Sequence, residues 1–171
     1  MLQNLAQRFG EKISFDNQEY YAFPTPERLA EASITDLKKC SLGYRVHYVQ
    51  QAAKKVNENE SEFAQIRNLT YEKAKAKLLG FSGVGLKVAD CILLFSMGKL
   101  EAFPVDRWIN RVILRYYSNY FPQEFVSKIS SKQSSLSRAE CERLSAFGRD
   151  YFGKYAGYAQ EYLYHYERSC Q

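Results

Sequence analysis

Apolar residues recur every three or four positions through almost the whole of this 171-residue sequence. That spacing gathers them on one face of an α-helix, whereas a half-buried strand needs strict alternation. Alternation is suggested only in residues 12–23, KISFDNQEYYAF, which predict a strand or a hairpin. We therefore expect an all-α fold. Because neither an internal repeat nor a second domain boundary is visible, we expect one domain that covers residues 1–171.

Capping signals and glycines divide this helical pattern. Hydroxyl or carboxylate side chains favour the position before a helix, and glycine favours its end. The predicted caps are Thr25 before Pro26, Ser33 or Thr35, Thr70, Asp106, and Ser137 with Glu140 as a capping box. The later predicted helices span about 44–56, 62–68, 71–79, 86–97, 106–117, 138–150 and 155–168. Residues 118–136 are polar and serine-rich, and they predict a long loop.

The charge pattern suits a polyanionic partner. The net charge is +5, and residues 37–55 carry five basic side chains and no acidic one. An ordinary solvated helix face is an equally good interpretation of that basic strip.

The cysteines and the apolar runs exclude several other classes. The four cysteines are too far apart for a zinc or iron–sulfur signature, so we expect reduced thiols and no cofactor. With neither a leader-like segment nor an apolar run of about 20 residues, we expect a cytoplasmic, nucleoid or nuclear protein that is not secreted and does not enter a membrane.

The stretch Phe81-Ser82-Gly83-Val84-Gly85 lies between two predicted helices, so that residues 71–97 form a helix-hairpin-helix motif. Its glycines would let backbone amides approach a phosphate, and the following helix adds its dipole. We therefore predict that Gly83, Val84 and Gly85 contact the DNA backbone. The alternative is that a tight turn needs glycine for steric reasons alone.

Two candidates for chemically active residues follow the hairpin. Lys87 shares one face of the next helix with Cys91 and Leu94, so we expect it to be shielded from solvent, as a nucleophilic amine requires; Val88, Ile92 and Phe95 would form a second, apolar face. Asp106 follows Pro104 and Val105. By itself it is most simply a helix N-cap, but a capping carboxylate at the mouth of a cleft can also stabilise a developing cation.

The segments GVGLKVADC and FPVD, preceded by LGYRVHYV and followed by YAGYAQEYLY, resemble the 8-oxoguanine DNA glycosylase/AP lyase family of the helix-hairpin-helix glycosylase superfamily. The resemblance runs in order through nearly the whole chain. It implies two helical lobes with a cleft between them, one containing the middle segment and the hairpin. It also implies a monomer that binds double-stranded DNA containing an oxidised purine or an abasic site.

The resemblance implies a role for each matched residue. Lys87 would displace the damaged base and hold the sugar as a Schiff base, and Asp106 would stabilise the transition state. The base pocket would comprise Cys91 and Tyr164 on the two faces of the flipped base, Gln160 on its Watson–Crick edge, and Trp108 on the phosphate side. The remaining implied sites are the Tyr44 wedge, the Arg45 contact to the orphaned cytosine, and a cation at the carbonyls of Leu79, Phe81 and Val84. Without the resemblance, Tyr44 would be interpreted as a core residue and Arg45 as a phosphate contact.

Three departures from the family pattern accompany this resemblance. Ser82 stands where the family usually has proline, and Trp108 where many members have histidine. The chain also begins at a point that matches the middle of the family's sequence, so we expect the amino-terminal β-rich domain to be absent. Two other functions stay open at this stage: a glycosylase for oxidised pyrimidines, and a DNA-binding fragment that is non-catalytic or acts only as a lyase.

Overall fold

The structure is a computed structural model that describes residues 1–132 and 135–169, apart from the side chain of Glu62. The described residues form eleven α-helices and one two-stranded sheet, so the all-α prediction is confirmed. By compactness the chain divides into two units. The first contains residues 1–66 and 80–83, and the second contains residues 67–79 and the chain from Val84 onward.

The first unit begins with α1 (Leu2–Phe9) and a hairpin of β1 (Lys12–Phe15) and β2 (Gln18–Tyr21). Its strands are antiparallel, with Lys12 opposite Tyr21, and the turn residues Asp16 and Asn17 have positive φ. Four helices follow: α2 (Pro26–Glu31), α3 (Ile34–Lys38), α4 (Val46–Glu58) and α5 (Glu60–Ile66). Their core is aliphatic and includes Leu5, Leu29, Leu37, Val46 and Ala53.

The second unit contains α6 (Tyr71–Leu78), α7 (Leu86–Phe95), α8 (Arg107–Tyr116), α9 (Gln123–Ser130), α10 (Arg138–Phe152) and α11 (Ala156–Ser169). Its core surrounds Phe103, which stacks on Phe152 with ring centroids 5.9 Å apart. Buried aliphatic residues complete it: Val105, Ile109, Ile113, Ile129 and Leu144. Thus residues 80–83 of the hairpin belong to the first unit, whereas the helices on either side of them belong to the second.

Most local start signals behave as predicted. Thr25 and Ser33 accept hydrogen bonds from the backbone of α2 and α3, and both arms of the Ser137–Glu140 capping box form. Thr70 stands at the N-cap position of α6, but its side chain makes no capping hydrogen bond.

The predicted long loop over 118–136 is wrong, because α9 occupies Gln123–Ser130 within it. Phe125 and Ile129 lie four residues apart on this helix, and Ile129 is buried. Phe125 also stacks on Phe121, with centroids 5.4 Å apart. An apolar stripe therefore forms a helix that the serine-rich composition concealed.

The predicted shielding of Lys87 on α7, and the predicted apolar face of that helix, are also wrong. The buried side chains of this helix are Ala89, Asp90, Leu93 and Leu94, whereas Phe95 is 62% exposed. Lys87 is exposed and is not on a shielded face as the sequence suggested. The core side of α7 thus contains a buried carboxylate, whereas the nucleophile candidate is exposed.

Candidate active site

The two hairpin glycines differ in what their surroundings require. Gly83 has φ of 77°, and a Cβ there would lie 2.5 Å from Cγ of Tyr48, so the fold itself demands glycine. Gly85, the N-cap residue of α7, has an ordinary extended backbone (φ −92°) and no atom within 4 Å of a Cβ built on it. The steric interpretation therefore accounts for Gly83 but not for Gly85, whose open side leaves room for an external group.

Lys87 lies in the first turn of α7, and Cys91 follows one turn later and is half-buried. Burial raises the pKa of the Cys91 thiol, and the charge of Lys87 and a hydrogen bond from it act in the opposite direction. The ammonium group therefore lies beside the thiol, as their spacing of four residues predicts.

Asp90 fixes α7 to α6 through buried polar contacts. Its carboxylate is 1% exposed and accepts hydrogen bonds from the Tyr71 hydroxyl at 2.6 Å and from the Lys75 ammonium at 2.9 Å. Burial, followed by the charge of Asp90, raises the pKa of Tyr71, which stays a hydrogen-bond donor. Because a buried carboxylate needs such partners, the helix that carries Lys87 is held in one rotational setting.

Asp106 is the N-cap of α8, as predicted. Its Oδ1 accepts hydrogen bonds from the backbone amides of Trp108 at 2.9 Å and Ile109 at 3.0 Å. These bonds hold the carboxylate at the helix N-terminus, where the dipole favours negative charge. The other oxygen, Oδ2, takes no part in the cap.

Lys87 and Asp106 line the same cavity in the second unit, which has a volume of about 340 Å³. The two residues therefore border one cavity, although nineteen positions separate them in the sequence. The other described residues around the cavity are Val105, Arg107, Asn110, Ile129, Lys132, Ser135, Leu136 and Cys141.

Three candidates for base recognition, Cys91, Gln160 and Tyr164, lie on α7 and α11 and do not line this cavity within the described part of the chain. Gln160 is only 4% exposed, and its Oε1 has no hydrogen-bond partner among the described residues. Tyr164 is half-buried, and its hydroxyl accepts a hydrogen bond from Arg168 at 3.2 Å. A Cβ on Gly157 would lie 2.2 Å from Cδ1 of Leu94, so this glycine lets α11 approach α7 closely.

Trp108 lies in the first turn of α8 between two arginines. The guanidinium carbons of Arg107 and Arg111 are 5.6 Å and 5.0 Å from the centre of its ring system. Such distances are typical of cation–π contacts. Trp108, which the sequence analysis places where many family members have histidine, therefore lies beside two cations.

Tyr44 and Arg45 belong to the first unit and are both exposed. Tyr44 is 72% exposed, so its interpretation as a core residue is wrong. The Arg45 guanidinium carbon lies 4.5 Å from the centre of the Tyr44 ring, and Tyr48 contacts that ring edge-on. Their roles in wedge insertion and cytosine recognition stay predictions, as does the cation site at the three hairpin carbonyls.

The basic strip is partly engaged within the first unit. Lys39 donates a hydrogen bond to Asp36, and Lys55 donates one to the carbonyl of Gly80 at 2.9 Å. All five basic residues of the strip are nevertheless exposed, as the solvated-face interpretation expects. Arg45 is the member of the strip that stands beside an exposed aromatic ring.

Sequence reasoning missed several residues that shape the site. Asp90 is an isolated acid in the apolar helix LKVADCILLF, and this signal was visible. Lys132 falls in the segment interpreted as a loop, where nothing local indicates that it reaches the cavity.

Among the described residues no cluster of side chains is suited to hold a metal ion, and no helix is long and apolar enough to cross a membrane. Cys40, Cys91 and Cys141 are free thiols, whereas Cys170 lies outside the described residues.

Residues 1–129 match the family model of the HhH-GPD superfamily of base excision DNA repair proteins. The chain belongs to this superfamily. A probable N-glycosylase/DNA lyase of Methanothermobacter thermautotrophicus is 30% identical over 98% of this chain and 54% of that protein. The N-glycosylase/DNA lyase of Saccharomyces cerevisiae is 29% identical over 96% of this chain and 48% of that protein.

A solved structure of a similar protein supports the same family assignment. The 8-oxoguanine glycosylase/lyase of Clostridium acetobutylicum, in complex with double-stranded DNA containing cytosine opposite 8-oxoguanine, is 33% identical with a TM-score of 0.80. The match covers 98% of this chain and 52% of that one. The resemblance to 8-oxoguanine glycosylases is thereby confirmed, and this HhH-GPD chain spans about half the length of the relatives it matches.

Proposed function

We propose that this chain is a base excision repair glycosylase with AP lyase activity that removes oxidised purines, 8-oxoguanine among them, from duplex DNA. The observation that carries the proposal is the shared cavity of Lys87 and Asp106. A protein that only binds DNA needs hairpin glycines and positive charge, whereas an amine and a carboxylate on one cavity supply a nucleophile and an electrostatic partner.

In the proposed reaction the deprotonated Lys87 amine attacks the anomeric carbon of the damaged nucleotide. The glycosidic bond breaks, the base leaves with the bonding electrons and gains a proton, and positive charge develops on the sugar. The Asp106 carboxylate, already oriented by the α8 amides, stabilises that charge. Ring opening then gives a Schiff base between Lys87 and the sugar, from which β-elimination releases the 3′ phosphate.

The surroundings of Gln160 support recognition of a flipped purine. A buried amide oxygen without a partner is costly, and the Watson–Crick edge of guanine or 8-oxoguanine can donate to it. Tyr164 lies one turn further along α11, and Cys91 lies on the neighbouring α7. Glu161 of α11 contributes a charge that acts on the Cys91 thiol, so the two helices approach each other at this level.

Borohydride trapping tests the chemistry directly, because reduction of a Schiff base makes the protein–DNA link permanent. The substrates are a duplex with 8-oxoguanine opposite cytosine and a duplex with an abasic site. We expect covalent complexes with both substrates, and none with Lys87→Gln. Lys154→Gln is the matched control, since it removes an exposed lysine of the same unit that does not line the cavity.

Each outcome separates one function from another. Trapping on both duplexes supports the glycosylase and lyase together. Trapping on the abasic duplex alone would overturn base excision and leave a lyase. Absence of trapping on both would overturn the enzymatic proposal and favour a DNA-binding fragment.

A further inference from the structure

The cavity that contains Lys87 and Asp106 has a second set of polar residues. Arg107 and Asn110 come from the first turn of α8, and Lys132 comes from the segment that joins α9 to α10. None of these three has a role in the proposed bond-breaking step. These three residues could therefore bind a part of the ligand other than the reacting sugar carbon.

The ionisable groups around the cavity carry an excess of positive charge. Arg107 and Lys132 are cationic, and Asp106 is the one carboxylate among the described residues that line it. Burial raises the pKa of the Cys141 thiol, so this lining residue contributes no negative charge near neutral pH. The cavity is therefore suited to an anion.

Lys132 is held in place by a buried carboxylate. Its ammonium group donates to Oε2 of Glu140 at 2.5 Å, and the same oxygen accepts a hydrogen bond from the backbone amide of Ser137 at 2.7 Å. Lys128 approaches the other oxygen of Glu140 at 3.2 Å. Two lysines thus share one carboxylate, which leaves one positive charge uncompensated.

The two lysines differ in where they lie. The Lys132 side chain is 26% exposed and lines the cavity, whereas the Lys128 side chain is 67% exposed and does not line it within the described residues. They therefore form a natural pair of matched positions. Each contributes one ion pair to Glu140, but only Lys132 faces the catalytic residues.

Asn110 supplies a neutral polar group on the same cavity. Its Oδ1 is buried and has no hydrogen-bond partner among the described residues. Because the oxygen and nitrogen of an amide are assigned from their partners, a bound acceptor would orient the NH₂ group toward the cavity. An anion with several acceptor oxygens satisfies this amide and the two cations together.

We propose that Lys132, Arg107 and Asn110 form a subsite for a phosphodiester group of the DNA strand that carries the damaged nucleotide. The inference rests on the proposed function, because Lys87 on the same cavity would hold the sugar to which such a phosphate is attached. A phosphate is the anion that must lie next to that sugar, and charged side chains bind it with charge-assisted hydrogen bonds. The subsite would fix the backbone beside the reacting sugar independently of the hairpin.

The test measures the affinity of duplexes that contain a tetrahydrofuran abasic analogue, which cannot form a Schiff base. Wild type, Lys132→Gln and Lys128→Gln are compared by fluorescence anisotropy at several salt concentrations. We expect Lys132→Gln to bind about tenfold more weakly and to reduce the slope of log affinity against log salt by about one. Lys128→Gln should change affinity less than about twofold, and Lys132→Arg should bind within about threefold of wild type.

A second arm identifies the phosphate. A neutral methylphosphonate is placed in turn at each of the four phosphates that flank the analogue. At one position it should weaken wild type and Lys128→Gln about tenfold but weaken Lys132→Gln clearly less, because only Arg107 and Asn110 still bind the phosphate in that variant; such non-additivity is the signature of a direct contact. Equal losses in all three proteins at every position would overturn the subsite.

The outcomes separate this inference from the proposed function. Normal trapping through Lys87 with identical affinities of the two lysine variants would overturn the subsite alone. A Lys132-specific loss of affinity without any trapping would overturn the chemistry alone. Thermal unfolding could show Lys132→Gln to be much less stable than Lys128→Gln. The methylphosphonate experiment would then still test the subsite, because partial unfolding does not make the effect of Lys132→Gln depend on one particular phosphate.

Discussion

The hydroxyl group of Ser145 lies 3.4 Å from the buried carboxylate of Asp90. The same hydroxyl donates a hydrogen bond at 3.0 Å to the carbonyl of Phe103. Asp90 is three residues beyond Lys87 on α7, and Phe103 is three residues before Asp106. One serine on α10 therefore joins the helix that presents the amine to the segment that presents the carboxylate.

Replacing Ser145 or Asp90 should reduce stability to different extents. Ser145→Ala leaves the Phe103 carbonyl without its donor, so we expect the free energy of unfolding to fall by about 1–3 kcal/mol. Asp90→Ala removes the counter-charge of Lys75 and should cost about 3–5 kcal/mol. Urea unfolding followed by circular dichroism measures both, and Ser127→Ala, on the exposed face of α9, is the control. Equal stability of all three variants would contradict the buried network.

The hairpin glycines should separate folding from DNA binding. Gly83→Ala places a methyl group against Tyr48 at a positive φ, so we expect a loss of about 2–4 kcal/mol in unfolding free energy. Gly85→Ala meets no atom and should leave stability within about 0.5 kcal/mol. If a phosphate approaches this backbone, Gly85→Ala should nevertheless weaken duplex affinity about tenfold. Thermal unfolding and anisotropy titration check the two expectations, and unchanged affinity would count against a phosphate contact at Gly85.

Local signals in the sequence were sufficient for most of the helices and their caps. Asp106 is an example, because its role as an N-cap depends only on the two amides that follow it. The site could be predicted less fully. Asp90 contacts Lys75 on the preceding helix and Ser145, which is fifty-five positions away in the sequence. The periodicity of a single helix does not predict such long-range pairs.

The missed helix α9 shows a second limit. The serine-rich composition of this segment predicts a loop, whereas the four-residue spacing of Phe125 and Ile129 is that of a helix. Burial of such a stripe against the core, and not composition, stabilises a helix of this length. The exposed position of Lys87 has a related cause. The spacing of Lys87, Cys91 and Leu94 places them on one face of a helix. Which face of α7 is buried, however, depends on where α6 and α10 pack, and the pattern of one helix does not predict that.

Glu140 should make stability depend on acid pH. Its pKa is lowered to about 2 by the hydrogen bond from Lys132 and by the backbone amide of Ser137, whereas an unfolded glutamate titrates near 4.5. The unfolded chain therefore binds this proton first, so the contribution of Glu140 is complete above about pH 5 and is lost as the pH falls toward 2. We expect wild type to be more stable than Glu140→Gln at pH 7, with the difference shrinking toward pH 2. Urea midpoints at pH 7, 4 and 2.5 measure this difference, and a constant value would contradict it.

The capping role of Asp106 and its proposed catalytic role can be measured separately. Asp106→Asn keeps an oxygen that can accept from the amides of Trp108 and Ile109, and asparagine is as good an N-cap as aspartate. We therefore expect its unfolding free energy to stay within about 0.5 kcal/mol, whereas Asp106→Ala should lose about 1 kcal/mol. Both variants lack the negative charge, so both should excise 8-oxoguanine at least about 100-fold more slowly in single-turnover assays, a loss typical of removing a preorganised electrostatic group. An Asp106→Asn protein with nearly normal excision would show that Asp106 only caps α8, and the stabilising charge would then have to come from another group.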